Sequence, residues 1–143
     1  MHVELLTVLC AGLFAGAAIY INLVEHPARM SLGTAFAVKE FGPSYHRAAV
    51  MQASLAVFGL AGALVLWWRG SDTGWLIGGL LLGSVVPFTL IAIMPTNRRL
   101  LSARLDPESD EARRLLNRWN TLHGVRSVLG ASSFLALLRS LQG

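Results

Sequence analysis

The last apolar stretch of this 143-residue chain carries three side chains that could do chemistry together. Trp119, His123 and Arg126 are spaced so that a helix would place them on one face. An imidazole can take up a proton near neutral pH. These three residues, together with Asn97, are therefore candidates for one polar site.

Other polar residues lie at the same predicted depth, near the ends of three more apolar runs. Polar groups that converge from several helices form sites in bundles. We therefore predict a site with four catalytic residues, His123, Arg126, Asn97 and His26. The predicted substrate-binding residues are Trp119, Tyr20, Asn22, Glu25 and Arg29.

Two other interpretations of these residues are open. Arginine, histidine, tyrosine and tryptophan are common at membrane interfaces, so the ring could serve only as an anchor. His26, His46 and His123 are also candidate metal ligands, and two of them could bind a haem. They lack the spacing of a compact motif such as His-Glu-x-x-His. The cofactor is thus none, a metal or a haem.

The composition indicates an integral membrane protein. Apolar residues make up 54% of the chain, charged residues only 14%, and the mean hydropathy is +0.55. Soluble domains average about 25% charged residues, so an ordinary soluble enzyme is disfavoured. A single cysteine excludes a disulfide scaffold. Crossing a bilayer takes about 20 apolar residues. Four runs approach that length, approximately at 5–24, 48–68, 75–94 and 121–141.

These runs predict an all-α, four-transmembrane-helix bundle, with residues 1–143 as one integral membrane domain. Ten of the 12 basic residues lie in or beside the two long connections. The positive-inside rule then predicts cytoplasmic connections and both termini outside, in the inner (plasma) membrane. The net charge of +4 is interpreted as orienting charge, not as a nucleic-acid surface. The expected partners are membrane lipid and a lipophilic small molecule.

Local signals predict where the helices begin and bend. Asp106 reads as an N-cap before Pro107, which predicts a last helix that extends into the cytoplasm and runs to about Leu141. Pro87 predicts a kink in the third span. Glycines at four-residue spacing, such as Gly79 and Gly83, predict close packing within the chain.

The two long connections carry weaker signals. The first contains a helical patch over 35–41 that Gly42-Pro43 is predicted to end. In the second, Asn97 is either an inward-facing amide or the cap of a short helix over 98–105. The two halves of the chain also resemble each other faintly, which suggests a duplicated hairpin or chance.

Three motifs resemble one known family. They are Tyr20-x-Asn22-x-x-Glu25-His26-Pro27-Ala28-Arg29, Pro95-Thr96-Asn97 and Trp119-x-x-x-His123-x-x-Arg126. They are similar to the small four-helix membrane proteins of the anthrone-oxygenase-like family, whose bacterial members are mostly of unknown function. For the fungal members, the resemblance implies oxidation of an anthrone to an anthraquinone by O2 without a dedicated organic cofactor. It suggests His123 as base, Arg126 and Asn97 at the oxyanion, and Trp119 stacked on the rings. His26, with its imidazole oriented by the carboxylate of Glu25, is the alternative base.

Two functions follow as hypotheses. One is an oxygenase, or a related oxidoreductase, acting on a lipophilic aromatic such as an anthrone or a quinol. The other is a non-catalytic membrane protein that binds a lipid, a haem or metal, or a partner protein. Convergence of His123, Arg126, Asn97 and His26 on one cavity would favour the first.

Overall fold

Four long helices make up the computed structural model, which describes residues 2–143. They are α1 (His2–Ser31), α2 (Thr34–Trp68), α3 (Thr73–Leu100) and α4 (Asp110–Gln142), and each is long and apolar enough to cross a membrane. No strand occurs within residues 2–143. The prediction of four apolar, membrane-crossing helices is confirmed.

The helices form an up-and-down ring. Each helix packs against the next one in sequence, and α4 closes the ring against α1. One apolar core, around Phe14, Leu82 and Leu137, fills the end with the termini. A second core, around Phe41 and Leu116, fills the end with the long connections. Large apolar side chains cover the outside, as a bundle surrounded by lipid requires. The predicted four-helix bundle is confirmed.

The first and third helices share an unusual backbone feature. Each contains a five-residue π-helical segment, Ile21–Glu25 in α1 and Thr89–Ile93 in α3. A proline, Pro27 or Pro95, follows each segment in the first turn of the resumed α-helix. Such π segments are frequent at functional sites. The resemblance between the two halves therefore extends to the backbone, and α3 continues through Pro87 and Pro95.

The predicted start of the last helix at Pro107 is wrong. The helix begins at Asp110, and the hydroxyl of Ser109 caps it by accepting a hydrogen bond from a backbone N–H three residues later, at 3.1 Å. The carboxylate of Asp106 instead accepts from the backbone N–H of Glu108, at 3.0 Å. That local turn competes with helix formation, as short polar side chains often do.

The predicted helix end at Gly42-Pro43 is also wrong, because α2 runs through both residues. A glycine ends a helix when it adopts positive φ. Gly33 does so after α1, with φ of 98°, and Gly70 does so after α2, with φ of 87°, whereas Gly42 does not. Full burial of Phe41 against the second core keeps this part of α2 in place.

Glycines set the distance between α2 and α3, which supports a prediction of stability. A Cβ added to Gly79 would lie 2.5 Å from the Cβ of Ala63, which no rotamer change can relieve. We expect Gly79→Ala to destabilise the protein by about 1–3 kcal/mol, as overpacking does. The measurement is unfolding of the purified protein in detergent.

The matched control is Gly16→Ala, because nothing lies within 4 Å of a Cβ at that helical position. This control should be neutral or slightly stabilising, since alanine favours a helix more than glycine does. Equal destabilisation by both variants would contradict close packing at Gly79.

Candidate functional site

All four helices contribute to a small cavity at the bundle end that carries the long connections. We call it the polar cavity. Its volume is about 20 Å³, room for roughly one water molecule. It is lined by Ile21, Glu25, Arg29, Phe41, Ser44, Tyr45, Ala48, Ala49, Gln52, Asn97, Trp119, His123 and Arg126. The predicted convergence of His123, Arg126 and Asn97 is therefore present.

A side-chain amide holds the imidazole of His123 in one orientation. His123 Nδ1 lies 2.9 Å from Asn22 Oδ1. The Asn22 amide nitrogen donates to the backbone and side-chain oxygens of Asn120, at 3.0 and 2.7 Å, and the Ser127 hydroxyl donates to Asn22 Oδ1. This network turns the Asn22 oxygen toward the ring. Neutral His123 then carries its proton on Nδ1, and Nε2 is free to accept another.

Trp119 forms one wall of the polar cavity. Its ring stacks on His123, with centroids 4.8 Å apart, and lies 5.7 Å from the ring of His26. Phe41 meets the same indole edge-on at 5.3 Å. Trp119 thus contacts both imidazoles. His26 is buried behind this wall and does not line the cavity.

Three polar side chains at the cavity, of which Gln52 and Asn97 are buried and Arg126 is partly buried, have buried atoms without partners among the described residues. Arg126 donates to Gln52 Oε1 at 2.7 Å. Among residues 2–143, Arg126 Nε, Gln52 Nε2 and both amide atoms of Asn97 have no hydrogen-bond partner. Each such group costs about 1–3 kcal/mol when it is left unsatisfied. Four of them from three helices provide hydrogen-bonding capacity at the cavity that a polar ligand or an ordered water can satisfy.

Asn97 does not cap a short helix, contrary to the alternative prediction. It lies inside α3, which continues to Leu100, and its side chain is only 1% exposed. The π-helical segment before it lets the helix pass Pro95 without ending. The amide is thereby carried into the bundle, as the inward-facing prediction required.

An ionic cluster borders the cavity. Arg29 is buried and pairs with Glu25 on its own helix and with Glu40 on α2, where Arg29 Nε lies 2.9 Å from Glu40 Oε2. The hydroxyl of Ser44 donates to Glu25. Contrary to the prediction, Glu25 therefore does not orient the imidazole of His26. Its carboxylate pairs instead with the guanidinium of Arg29, which lies one helical turn away.

Two predicted residues lie outside the site. Tyr20 is 54% exposed on the outer surface, since the helix turns its side chain away from that of Asn22. His46 is also exposed and contacts Tyr45 rather than the other histidines. Within residues 2–143, no three histidine, cysteine, aspartate or glutamate side chains lie close enough to hold a metal ion.

Sequence reasoning missed Gln52, which is 1% exposed and completes the cavity. Its signal was present, because a polar residue inside an apolar span is by default a candidate for function. Ser127, one turn after His123, was missed as well. A serine in an apolar helix is common and gave no signal.

A second cavity, which we call the apolar groove, lies between α2 and α3 and has a volume of about 170 Å³. Tyr45, Ala49, Gln52 and Arg126 line both this groove and the polar cavity. The remaining lining residues are Ala53, Val85, Val86, Thr89, Leu90 and Met94. The groove and the polar cavity thus adjoin at Gln52 and Arg126.

Comparison with known proteins gives a consistent family signal. The sequence model of the anthrone oxygenase family matches residues 41–136. An anthrone oxygenase of Aspergillus fumigatus is 29% identical over 131 residues, covering 85% of this chain and 81% of the relative. An anthrone oxygenase of Claviceps purpurea is 27% identical over 139 residues, covering 85% and 78%. No solved structure matches the chain significantly.

Proposed function

The chain belongs to the anthrone oxygenase family, and on that premise we propose that it oxidises a lipophilic aromatic, such as an anthrone, with O2. The reaction takes place at the polar cavity. One observation carries the proposal: Gln52, Asn97 and Arg126 have polar atoms without partners among the described residues, and all three line a cavity that His123 also lines. A base next to unsatisfied donors suits a substrate that becomes an oxyanion.

The reaction needs few groups from the protein. An anthrone loses a proton from its central carbon to Nε2 of His123, and the negative charge spreads to the carbonyl oxygen. The anion transfers an electron to O2, and the two radicals combine into a carbon-bound peroxide that takes the proton back from His123. Elimination of water forms the second carbonyl. One anthrone and one O2 give one anthraquinone and one water.

Stabilisation of the anion is assigned to the unpartnered donors. Arg126 Nε, Gln52 Nε2 and Asn97 Nδ2 are held in place by the helices before the charge develops. Donors that are fixed in advance in a dry site stabilise a developing oxyanion strongly. A purely apolar ligand would give these donors no hydrogen-bond partner.

His123 is a better base than His26 for two structural reasons. The Asn22 network sets the tautomer of His123 and leaves Nε2 free, as an orienting group does in other catalytic sites. His26 lies behind Trp119, and its Nδ1 has no partner within residues 2–143. We assign His26 a supporting position beside the indole.

The direct test is oxygen uptake by the purified protein in lipid nanodiscs supplied with anthrone. We expect protein-dependent uptake, with one O2 consumed for each anthraquinone formed. Empty nanodiscs measure spontaneous oxidation of the anthrone. Uptake no faster than in empty nanodiscs would overturn the proposal. Saturable binding without uptake would favour the non-catalytic alternative.

We also propose that the protein lies in the inner (plasma) membrane with both termini outside and the site near the cytoplasmic surface. The uneven distribution of basic residues supports this orientation. Reporter fusions at Gly143 and near Asp106 are expected to report opposite sides of the membrane, with Asp106 inside. Matching signals from both fusions would contradict the topology.

A further inference from the structure

We propose that the apolar groove binds the aromatic rings of the substrate and admits them sideways from the bilayer between α2 and α3. The inference rests on the proposed function, because it assigns the occupant as a planar polycyclic ketone or phenol. The polar edge of that molecule reaches Gln52 and Arg126, and its hydrocarbon part lies along the groove.

The polar cavity is too small for the whole substrate, so the substrate needs a second compartment. The polar cavity has room for about one water molecule, whereas a three-ring aromatic needs far more space. Ligand pockets are commonly about 300–1,000 Å³. The groove adds about 170 Å³ and is open on one side, so that part of a flat substrate can remain against lipid.

The chemistry of the lining fits this division. Gln52 is almost fully buried, its Nε2 has no partner within residues 2–143, and it lines both compartments. Arg126 is partly buried, its Nε also has no partner in that range, and it lines both compartments as well. Val85 and Val86 supply apolar walls. A ligand with one polar edge and a hydrocarbon body matches both the donors of Gln52 and Arg126 and the apolar walls. An acyl chain would leave those donors unpaired.

The groove opens toward lipid. Ala53 is exposed on α2, and Leu90 is 59% exposed on α3. Ala49 and Ala53 are small, which leaves space next to the helix. The π-helical segment Thr89–Ile93 forms the opposite edge, and such segments depart from regular helix geometry. A lipid-soluble substrate therefore needs no aqueous route.

The internal repeat supports the same assignment. One pattern of three positions recurs in α2 and α4. It consists of an aromatic residue, a second position four residues later and a polar residue three residues after that. In α4 the three positions are Trp119, His123 and Arg126, and in α2 they are Tyr45, Ala49 and Gln52.

The repeat differs where the groove lies. Asn22 and Leu90 are each the second residue of a π-helical segment. The interface between α1 and α4 thus pairs Asn22 with His123, and the equivalent interface between α2 and α3 has Leu90 and Ala49 at these positions. Replacing an imidazole by a methyl group opens the space that the groove occupies. In the proposal, the α1–α4 interface holds the base and the α2–α3 interface provides the apolar space.

The test compares Ala53→Phe, which fills the mouth of the groove, with Ala61→Phe, which adds the same ring at another exposed position of α2. Both proteins are loaded with anthraquinone in nanodiscs without O2, and native mass spectrometry counts the bound molecules. We expect one anthraquinone on the parent protein and on Ala61→Phe, and binding at least about tenfold weaker on Ala53→Phe. The same ordering is expected in KM for anthrone, with kcat changed less.

Several results would overturn the inference: equal binding by the two variants, no binding by the parent protein, or a phospholipid on the groove that anthraquinone does not displace. The proposed function fails separately. Binding that Ala53→Phe weakens, without any oxygen uptake by the parent protein, contradicts the oxygenase but supports the groove. Oxygen uptake that Ala53→Phe leaves unchanged contradicts the groove but supports the oxygenase.

Discussion

His123→Ala is expected to remove oxygen uptake above the spontaneous rate, because it deletes the proposed base, whose Nε2 would take the proton from the anthrone. General-base catalysis contributes about 10²–10⁴-fold, so a loss in that range is expected in kcat/KM. The measurement is oxygen uptake in nanodiscs, together with thermal unfolding to verify that the variant is folded.

Two further variants sharpen this test. His123→Gln keeps a side chain able to bond Asn22 but cannot accept the proton, so it should be as inactive as His123→Ala. His46→Ala is the matched histidine control, because His46 is exposed and lies away from the cavity, and it should retain full activity. Unchanged turnover in both His123 variants would remove this residue from the mechanism. Loss of folding in both would instead support a structural role for the network.

Arg126→Lys is expected to lower kcat by about 10²-fold, similar to the loss of one oxyanion donor elsewhere. Lysine keeps the charge but loses the planar fork that bonds Gln52 Oε1 while Nε stays available to the substrate. Kinetics with anthrone, separated into kcat and KM, provide the measurement.

Arg118→Lys serves as the control for Arg126→Lys, because Arg118 is exposed on the same helix and should tolerate the change. A rise in KM without a change in kcat would mean that Arg126 only binds the ground state. Equal kinetics in the parent protein and Arg126→Lys would contradict its assignment to the oxyanion.

The fold was largely predictable because each helix must be apolar over about 20 residues to cross a bilayer, and that signal is local. The helix boundaries were less predictable. Gly42-Pro43 has the composition of a helix end, yet tertiary packing around Phe41 keeps the helix continuous. The start at Asp110 depends on a competition between the turn at Asp106 and the Ser109 cap, which spacing alone cannot decide.

The candidate site was predictable where its residues share one helix. Helical periodicity placed Trp119, His123 and Arg126 on one face, and the structure agrees. Contacts between helices were not predictable: the Asn22–His123 pair joins residues 101 positions apart. Helix rotation likewise decided that Tyr20 faces outward, although it lies two residues from Asn22. The catalytic roles of the site residues stay predictions.

The most direct test of the central claim is oxidation of anthrone under ¹⁸O₂ by the parent protein and by His123→Ala, both in nanodiscs. We expect protein-dependent formation of anthraquinone that carries one ¹⁸O atom in its new carbonyl, with the second atom released as water. His123→Ala should form this product no faster than empty nanodiscs do. Equal rates with the parent protein, His123→Ala and empty nanodiscs, or a protein-dependent quinone without the label, would contradict it.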